Sequence, residues 1–149
     1  MGRIVRLNPG YICASPNSKD ANGETAIFKA TRKGHYGIIR LLLEAGADLG
    51  ILNHAGKSVL FSAIEMGQYA IAKQIIDAGA SVNARDNMRQ TPLPFCLKGE
   101  EKFYKMAELL LENGALVDGQ DRLGRTALDL AIAGGLRDLE KLLRRELEI

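Results

Sequence analysis

Residues 22–48 read NGETAIFKATRKGHYGIIRLLLEAGAD. In this stretch a Gly-x-Thr step enters a short apolar run, Gly34 breaks it, and a second apolar run carries Ile38, Ile39, Leu42 and Leu43 up to Gly46. The i, i+1, i+4, i+5 spacing of those four residues describes one buried stripe on a helix. Thr25 stands where an N-capping hydroxyl would satisfy the open N–H groups of a first helix. Gly34 stands where a chain reversing into a second helix needs positive φ. The stretch predicts two short helices joined by a tight reversal.

The rest of the chain repeats it. Asp20-Ala21-Asn22-Gly23-Glu24-Thr25 aligns with segments starting at Asn53, Asp86 and Asp121, so the starts lie 33, 33 and 35 residues apart. Leu42-Leu43-Glu44-Ala45-Gly46-Ala47 recurs as Ile75-Ile76-Asp77-Ala78-Gly79-Ala80 and as Leu110-Leu111-Glu112-Asn113-Gly114-Ala115. Ser58, Thr91 and Thr126 repeat the capping position of Thr25, with Pro92 suited to a first helical turn. Gly67 and Gly135 repeat Gly34. The expected layout is a segment outside the repeats, 1–19, followed by a repeat domain, 20–149, with units 20–52, 53–85, 86–120 and 121–149. Arg3 to Leu7 alternate polar and apolar like a short strand, and Asn8-Pro9-Gly10 reads as a turn; this is expected to form a non-helical N-terminal cover.

These units resemble ankyrin repeats, in which Gly-x-Thr-Pro-Leu-His, Gly-His, paired leucines and Gly-Ala-Asp-Val-Asn recur. The resemblance covers residues 20–149. It implies an all-α solenoid of antiparallel helix pairs with projecting β-hairpin-like fingers and a concave face. Several positions depart from the family pattern. Phe28, Phe61 and Pro94 stand where the family carries His, so apolar contact should replace a hydrogen bond between neighbours. Arg89 replaces the turn glycine of the third finger, which implies either strain of about 1 kcal/mol or a different turn. The two extra residues of the third unit are expected around Lys98-Gly99-Glu100-Glu101-Lys102, as a charged loop protruding towards the groove. The last helix, Leu136 to Leu147, should bury Leu139, Leu142 and Leu143 and cap the array with its charged face.

Composition limits the alternatives. Apolar residues at 46% and charged residues at 26% are ordinary for a globular chain. A formal charge of +2 is too small to imply a nucleic-acid partner by itself. With 5% aromatics and no Trp, packing must rest on small and aliphatic side chains in thin, closely stacked units. Cys13 and Cys96 alone make no disulfide framework and fit reduced thiols in the cytosol. The start lacks an apolar signal-peptide core, and no apolar stretch approaches the roughly 18 residues of a membrane span. The expected setting is cytoplasmic or nuclear, as a monomer. The sequence serves equally for a small repeat protein or for a segment of a larger one.

Catalysis of the Ser/His/Asp or Cys/His kind needs a base, and only His35 and His54 are available. His35 falls at a helix start and His54 on a finger tip, so neither builds a catalytic site. Asp20, Asp86 and Asp121 are expected to hold turns, and no residue set calls for a metal or a cofactor. That leaves binding by residues that the repeat does not dictate: Arg32, Lys33, His54, Lys57, Met66, Arg85, Met88, Arg89, Arg122, Leu123 and Arg125. Met88 and Leu123, large and apolar at finger tips, are the expected anchors. Lys57, Arg85, Arg89, Arg122 and Arg125 form a basic fringe suited to a protein with an acidic surface. A nucleic-acid partner bound through the same fringe is the alternative reading.

Overall fold

The computed structural model describes residues 15–148. Its helices are α1 (Ala26–Arg32), α2 (Tyr36–Glu44), α3 (Val59–Glu65), α4 (Tyr69–Asp77), α5 (Glu101–Glu112), α6 (Ala127–Ala133) and α7 (Arg137–Leu147), with a 3-10 turn at Leu93–Cys96 between α4 and α5. Each helix touches its partner in the pair and its counterpart in the next unit, giving two layers. One runs α1, α3, the 3-10 turn and α6; the other runs α2, α4, α5 and α7. This is the all-α, helix-pair solenoid that the repeat implies. The fingers are held by turn hydrogen bonds, and no strand occurs among the described residues.

The glycines fall where the backbone needs them. Gly34, Gly67 and Gly135 adopt φ of 71°, 65° and 66° at the reversal inside each pair. Gly46 ends α2 at φ 88°, where its N–H donates to Leu43 O and that of Ala47 to Leu42 O, which satisfies the last carbonyls of the helix. Between the layers, Ile27, Phe28, Ile39, Leu60, Phe61, Ile64, Ile75, Met106, Leu110 and Leu143 are closed off from solvent. Helix α3 is buried from Val59 to Ile64 on every side. A helix apolar all round needs cover all round, which α1, α4 and the 3-10 turn provide. In α7, Leu139, Leu142 and Leu143 are buried as the sequence pattern requires.

Side chains also tie successive units. Asn83 donates to Gly114 O at 3.0 Å and accepts from Leu116 N–H at 2.9 Å. Asn17, in the segment that the sequence reading set apart from the repeats, makes the same pair of bonds, to Gly46 O at 3.3 Å and from Asp48 N–H at 2.7 Å. Each asparagine stands three residues ahead of a finger aspartate, Asp86 or Asp20. The strand-like stretch read at Arg3–Leu7 and the turn at Asn8-Pro9-Gly10 lie outside the described residues, as does Cys13.

The capping expectation holds in one unit only. Thr126 accepts from Asp129 N–H at 3.2 Å while Asp129 Oδ2 accepts from Thr126 N–H at 2.8 Å, a reciprocal capping box. Thr25 and Ser58 occupy the N-cap positions of α1 and α3 with extended backbone, yet their hydroxyls are buried without a partner. At α1 and α3 the N–H groups of Phe28 and Phe61 donate at 3.1 Å to the backbone carbonyls of Thr25 and Ser58 and not to the hydroxyls, and no carboxylate stands three positions on as Asp129 does for Thr126. Thr126→Ala should lower stability by about 1 kcal/mol. Thr25→Val, which replaces a buried orphan hydroxyl by a methyl of the same shape, should be neutral or stabilising by about 1 kcal/mol. Urea unfolding of the two variants checks both signs.

The third unit departs from its expected form twice. Thr91 opens no α-helix: the segment is a single 3-10 turn with Pro92 just ahead of it. Pro94 biases Leu93 away from helical backbone, so a full helix does not propagate. Of the five residues expected to form a protruding loop, only Lys98, Gly99 and Glu100 do so; Glu101 and Lys102 are the first residues of α5. The insertion lengthens a helix instead. α5 has 12 residues where α2 and α4 have 9.

Candidate interaction surface

The four fingers share one construction. The side-chain oxygen of Asp20 accepts from the N–H groups of Asn22 and Glu24 at 2.8 and 3.0 Å. Asn53 does the same for Ala55 and Lys57, Asp86 for Met88 and Gln90, and Asp121 for Leu123 and Arg125. Backbone bonds close each loop, as in Gly23 N–H to Asp20 O at 3.0 Å. The finger aspartates hold turns.

The first three fingers are also stitched together. His54 N–H donates to Asn22 O at 3.0 Å, Asn87 N–H to Ala55 O at 3.1 Å, and Asn87 Nδ2 to His54 O at 2.9 Å. Among the described residues no hydrogen bond joins the fourth finger to the third. The close approach depends on glycine. A Cβ on Gly23 would lie 2.7 Å from the His54 ring, and one on Gly56 would overlap Asn87 Oδ1 and lie 2.8 Å from Asn87 N. The third finger carries Arg89 at that position. Arg89 keeps the left-handed turn, at φ 61°, so the sequence alternative of a different turn is not taken and the strain remains. At the equivalent Gly23 and Gly56 a Cβ would collide with the next finger, so a side chain at Arg89 is at odds with stitching of that kind.

The residues expected to meet a partner fall into three groups. The first is engaged within the chain. Arg32 donates two bonds to Glu24, whose carboxylate also accepts from Asn53 Nδ2 at 3.3 Å. Lys57 pairs with Glu65 and lies 4.8 Å from the centroid of the Phe95 ring. Arg125 makes bonds of 3.0 and 2.9 Å to Asp121 Oδ2, and the His54 ring lies against Gly23. The second group, Lys33 and Met66, is exposed at the C-terminal ends of α1 and α3, away from the fingers. The third is Arg85, Met88, Arg89, Arg122 and Leu123, all exposed on the third and fourth fingers. None of its arginines makes an ion pair among the described residues. Met88 and Leu123 hold the same place in successive fingers, 55% and 74% exposed, where the first two fingers carry Asn22 and Ala55.

Sequence reasoning missed the ion pairs along this face. Glu24–Arg32 and Lys57–Glu65 occupy the same two repeat positions with the signs exchanged. Opposite charges eight residues apart, conserved in spacing and reversed in order, were the available signal.

Acid should loosen these turns. Hydrogen bonds from the Arg32 guanidinium hold the Glu24 carboxyl below its ordinary range. Backbone N–H groups do the same for Asp20 (from Glu24 and Asn22), Asp121 (chiefly from Arg125) and Asp129 (from Thr126). A carboxylate with a lowered folded pKa stabilises the fold above its unfolded value and loses that contribution as pH falls through the folded one. Burial pushes the Cys96 thiol up to about 12, so its effect is opposite: full stability below the unfolded thiol value and loss as pH rises above it. Thermal melts should show a plateau from about pH 4.5 to about 8.5 with a fall on each side. Cys96→Ser should flatten the alkaline limb.

Among the described residues no three His, Cys, Asp or Glu side chains gather as a metal site. Among the same residues no helix is long and apolar enough to cross a membrane. Stacked helix pairs that present a row of turns form an interaction scaffold. The chain belongs to the ankyrin-repeat family: the profile of three ankyrin repeats matches residues 4–86, more than half of its length. The match starts ahead of Asp20, in keeping with the repeat-like bonds of Asn17. The third and fourth fingers, almost entirely beyond the match, carry the same turn geometry as the first two. A search of curated proteins returned no match. Ankyrin repeats are general protein–protein interaction modules, and as a class they are not catalytic.

Proposed function

We propose that this chain is a non-enzymatic binding module whose third and fourth fingers, with the adjoining concave face, dock a partner protein bearing acidic groups, as an adaptor, inhibitor or targeting subunit. The observation that carries this reading is the pairing of two exposed apolar tips, Met88 and Leu123, with three arginines that no carboxylate among the described residues neutralises, at the one junction where the fingers are not stitched. Apolar anchors buried on docking supply affinity, and unpaired cations around them supply charge complementarity and steer the encounter. Such an interface would bury on the order of 1,600 Å² in total. Reduced, buried Cys96 fits a cytoplasmic setting.

Combined alanine substitution of Met88, Arg89, Arg122 and Leu123 tests it. Affinity capture with the native chain and with this variant should identify a protein retained only by the native chain. Its purified complex should weaken on the order of 100-fold in the variant, with unchanged helicity. Unchanged affinity removes these fingers from the interface. Retention of nucleic acid with a steep salt dependence, in place of protein, assigns the arginines to phosphates.

A further inference from the structure

A cleft of about 810 Å³ lies between α5 and α7, on the helices that follow the reversals and away from the finger tips. The insertion in the third unit produces it. α4 and α5 both end two residues before a glycine, Gly79 or Gly114, so the added length of α5 sits at its start, as the turn Glu101–Phe103. That turn flanks the beginning of α7 with no equivalent turn opposite.

The two walls carry opposite charge. Arg137, Lys141 and Arg145, spaced i, i+4, i+8 on α7, line one side. Glu101 lines the other, and Glu108 and Glu112 continue that wall where the cleft narrows towards Leu111. Tyr104, Leu136 and Leu142 make the floor. The acids on the basic wall are Asp138, in the first turn of α7 where the helix dipole favours it, and Glu146 near its far end. The ion pairs here stay on one side of the cleft, Glu100 with Lys102, Glu101 with Lys105, Glu140 with Arg144 and Arg145 with Glu146; among the described residues none crosses it. The floor is apolar and the walls carry opposite charges that attract opposite charges on an occupant.

We infer that this cleft is a second docking site, for an amphipathic helix of a partner protein with an apolar stripe, a basic edge and an acidic edge. A helix laid between two helices fills the groove by ridge packing. Its basic edge meets the glutamates of α5 and its acidic edge the cations of α7. The rise from Arg137 to Arg145 is about 12 Å, so two to three turns suffice. This site goes beyond the finger surface and does not depend on it.

The probe is a fluorescein-labelled, stapled helical peptide of about 14 residues with a leucine stripe, lysines along one edge and glutamates along the other. Turning such a helix end for end exchanges its edges, so the control is a peptide of the same composition with both edges mixed. Fluorescence anisotropy with the full chain should show the segregated peptide binding roughly tenfold more tightly than the mixed one. Lys141→Glu with Arg145→Glu, and separately Glu101→Lys on the opposite wall, should each weaken the segregated peptide at least about tenfold, with circular dichroism unchanged. Met88→Ala with Leu123→Ala should leave it bound, which separates this site from the fingers. Equal binding of both peptides, indifference to both cleft variants, or no binding at about 100 µM overturns the proposal.

Discussion

Gly56→Ala is expected to cost about 3 kcal/mol, against about 1 kcal/mol for Gly124→Ala, in urea unfolding of the two variants. Both glycines hold the same turn position at nearly the same φ, 73° and 74°, so the intrinsic strain of a side chain in the left-handed region is common to both. They differ in surroundings. A Cβ on Gly124 meets nothing within 4 Å, whereas one on Gly56 meets Asn87 Oδ1 and the backbone nitrogen of Asn87. Backbone cannot turn aside as a flexible side chain can, so the second and third fingers must separate. The bonds from Asn87 N–H to Ala55 O and from Asn87 Nδ2 to His54 O are then lost. Equal costs at the two sites would mean that finger stitching contributes nothing and that only local strain matters. The converse substitution, Arg89→Gly, should stabilise by about 1 kcal/mol by removing that strain.

The same comparison shows what a sequence can and cannot carry here. Helix pairs, reversals and helix ends were legible because they depend on local chemistry repeated in register: a stripe of Ile and Leu, a glycine at positive φ, a polar residue opening each finger. What escaped depends on contacts between units. The hydroxyls of Thr25 and Ser58 look like caps in a string of letters, yet in the fold the N–H groups they would cap bond to backbone carbonyls and the hydroxyls are buried without a partner. Arg32, Lys57 and Arg125 look free for a partner because their acidic mates lie eight or four residues away on another part of the unit. The extra residues near Glu101 look like a loop because they are charged, yet charge suits the exposed first turn of a helix equally well. Met88 and Leu123 stood out in the sequence as apolar residues at turn tips, and both side chains are exposed there.

Phe61→Ala is expected to cost about 3–5 kcal/mol and to change the form of unfolding as well as its midpoint. Phe61 has no exposed surface, and its ring meets Phe95 edge-on at 5.3 Å, across the boundary between the second and third units. That boundary is thin in the first-helix layer, since a 3-10 turn of four residues stands where a full helix would otherwise pack. In a linear array each unit is held by its own marginal stability plus the interfaces beside it, so weakening one interface uncouples the two sides. Amide exchange in α1 to α4 and in α5 to α7 should follow one opening free energy in the native chain and two in the variant. Phe95→Ala, at a half-buried ring, removes the edge contact but leaves α3 filled, and should cost about 1–2 kcal/mol with exchange still uniform. A cost for Phe61→Ala below about 1 kcal/mol, or exchange that stays uniform, would place the coupling of the two halves in α4 and α5 and not in the packing around α3.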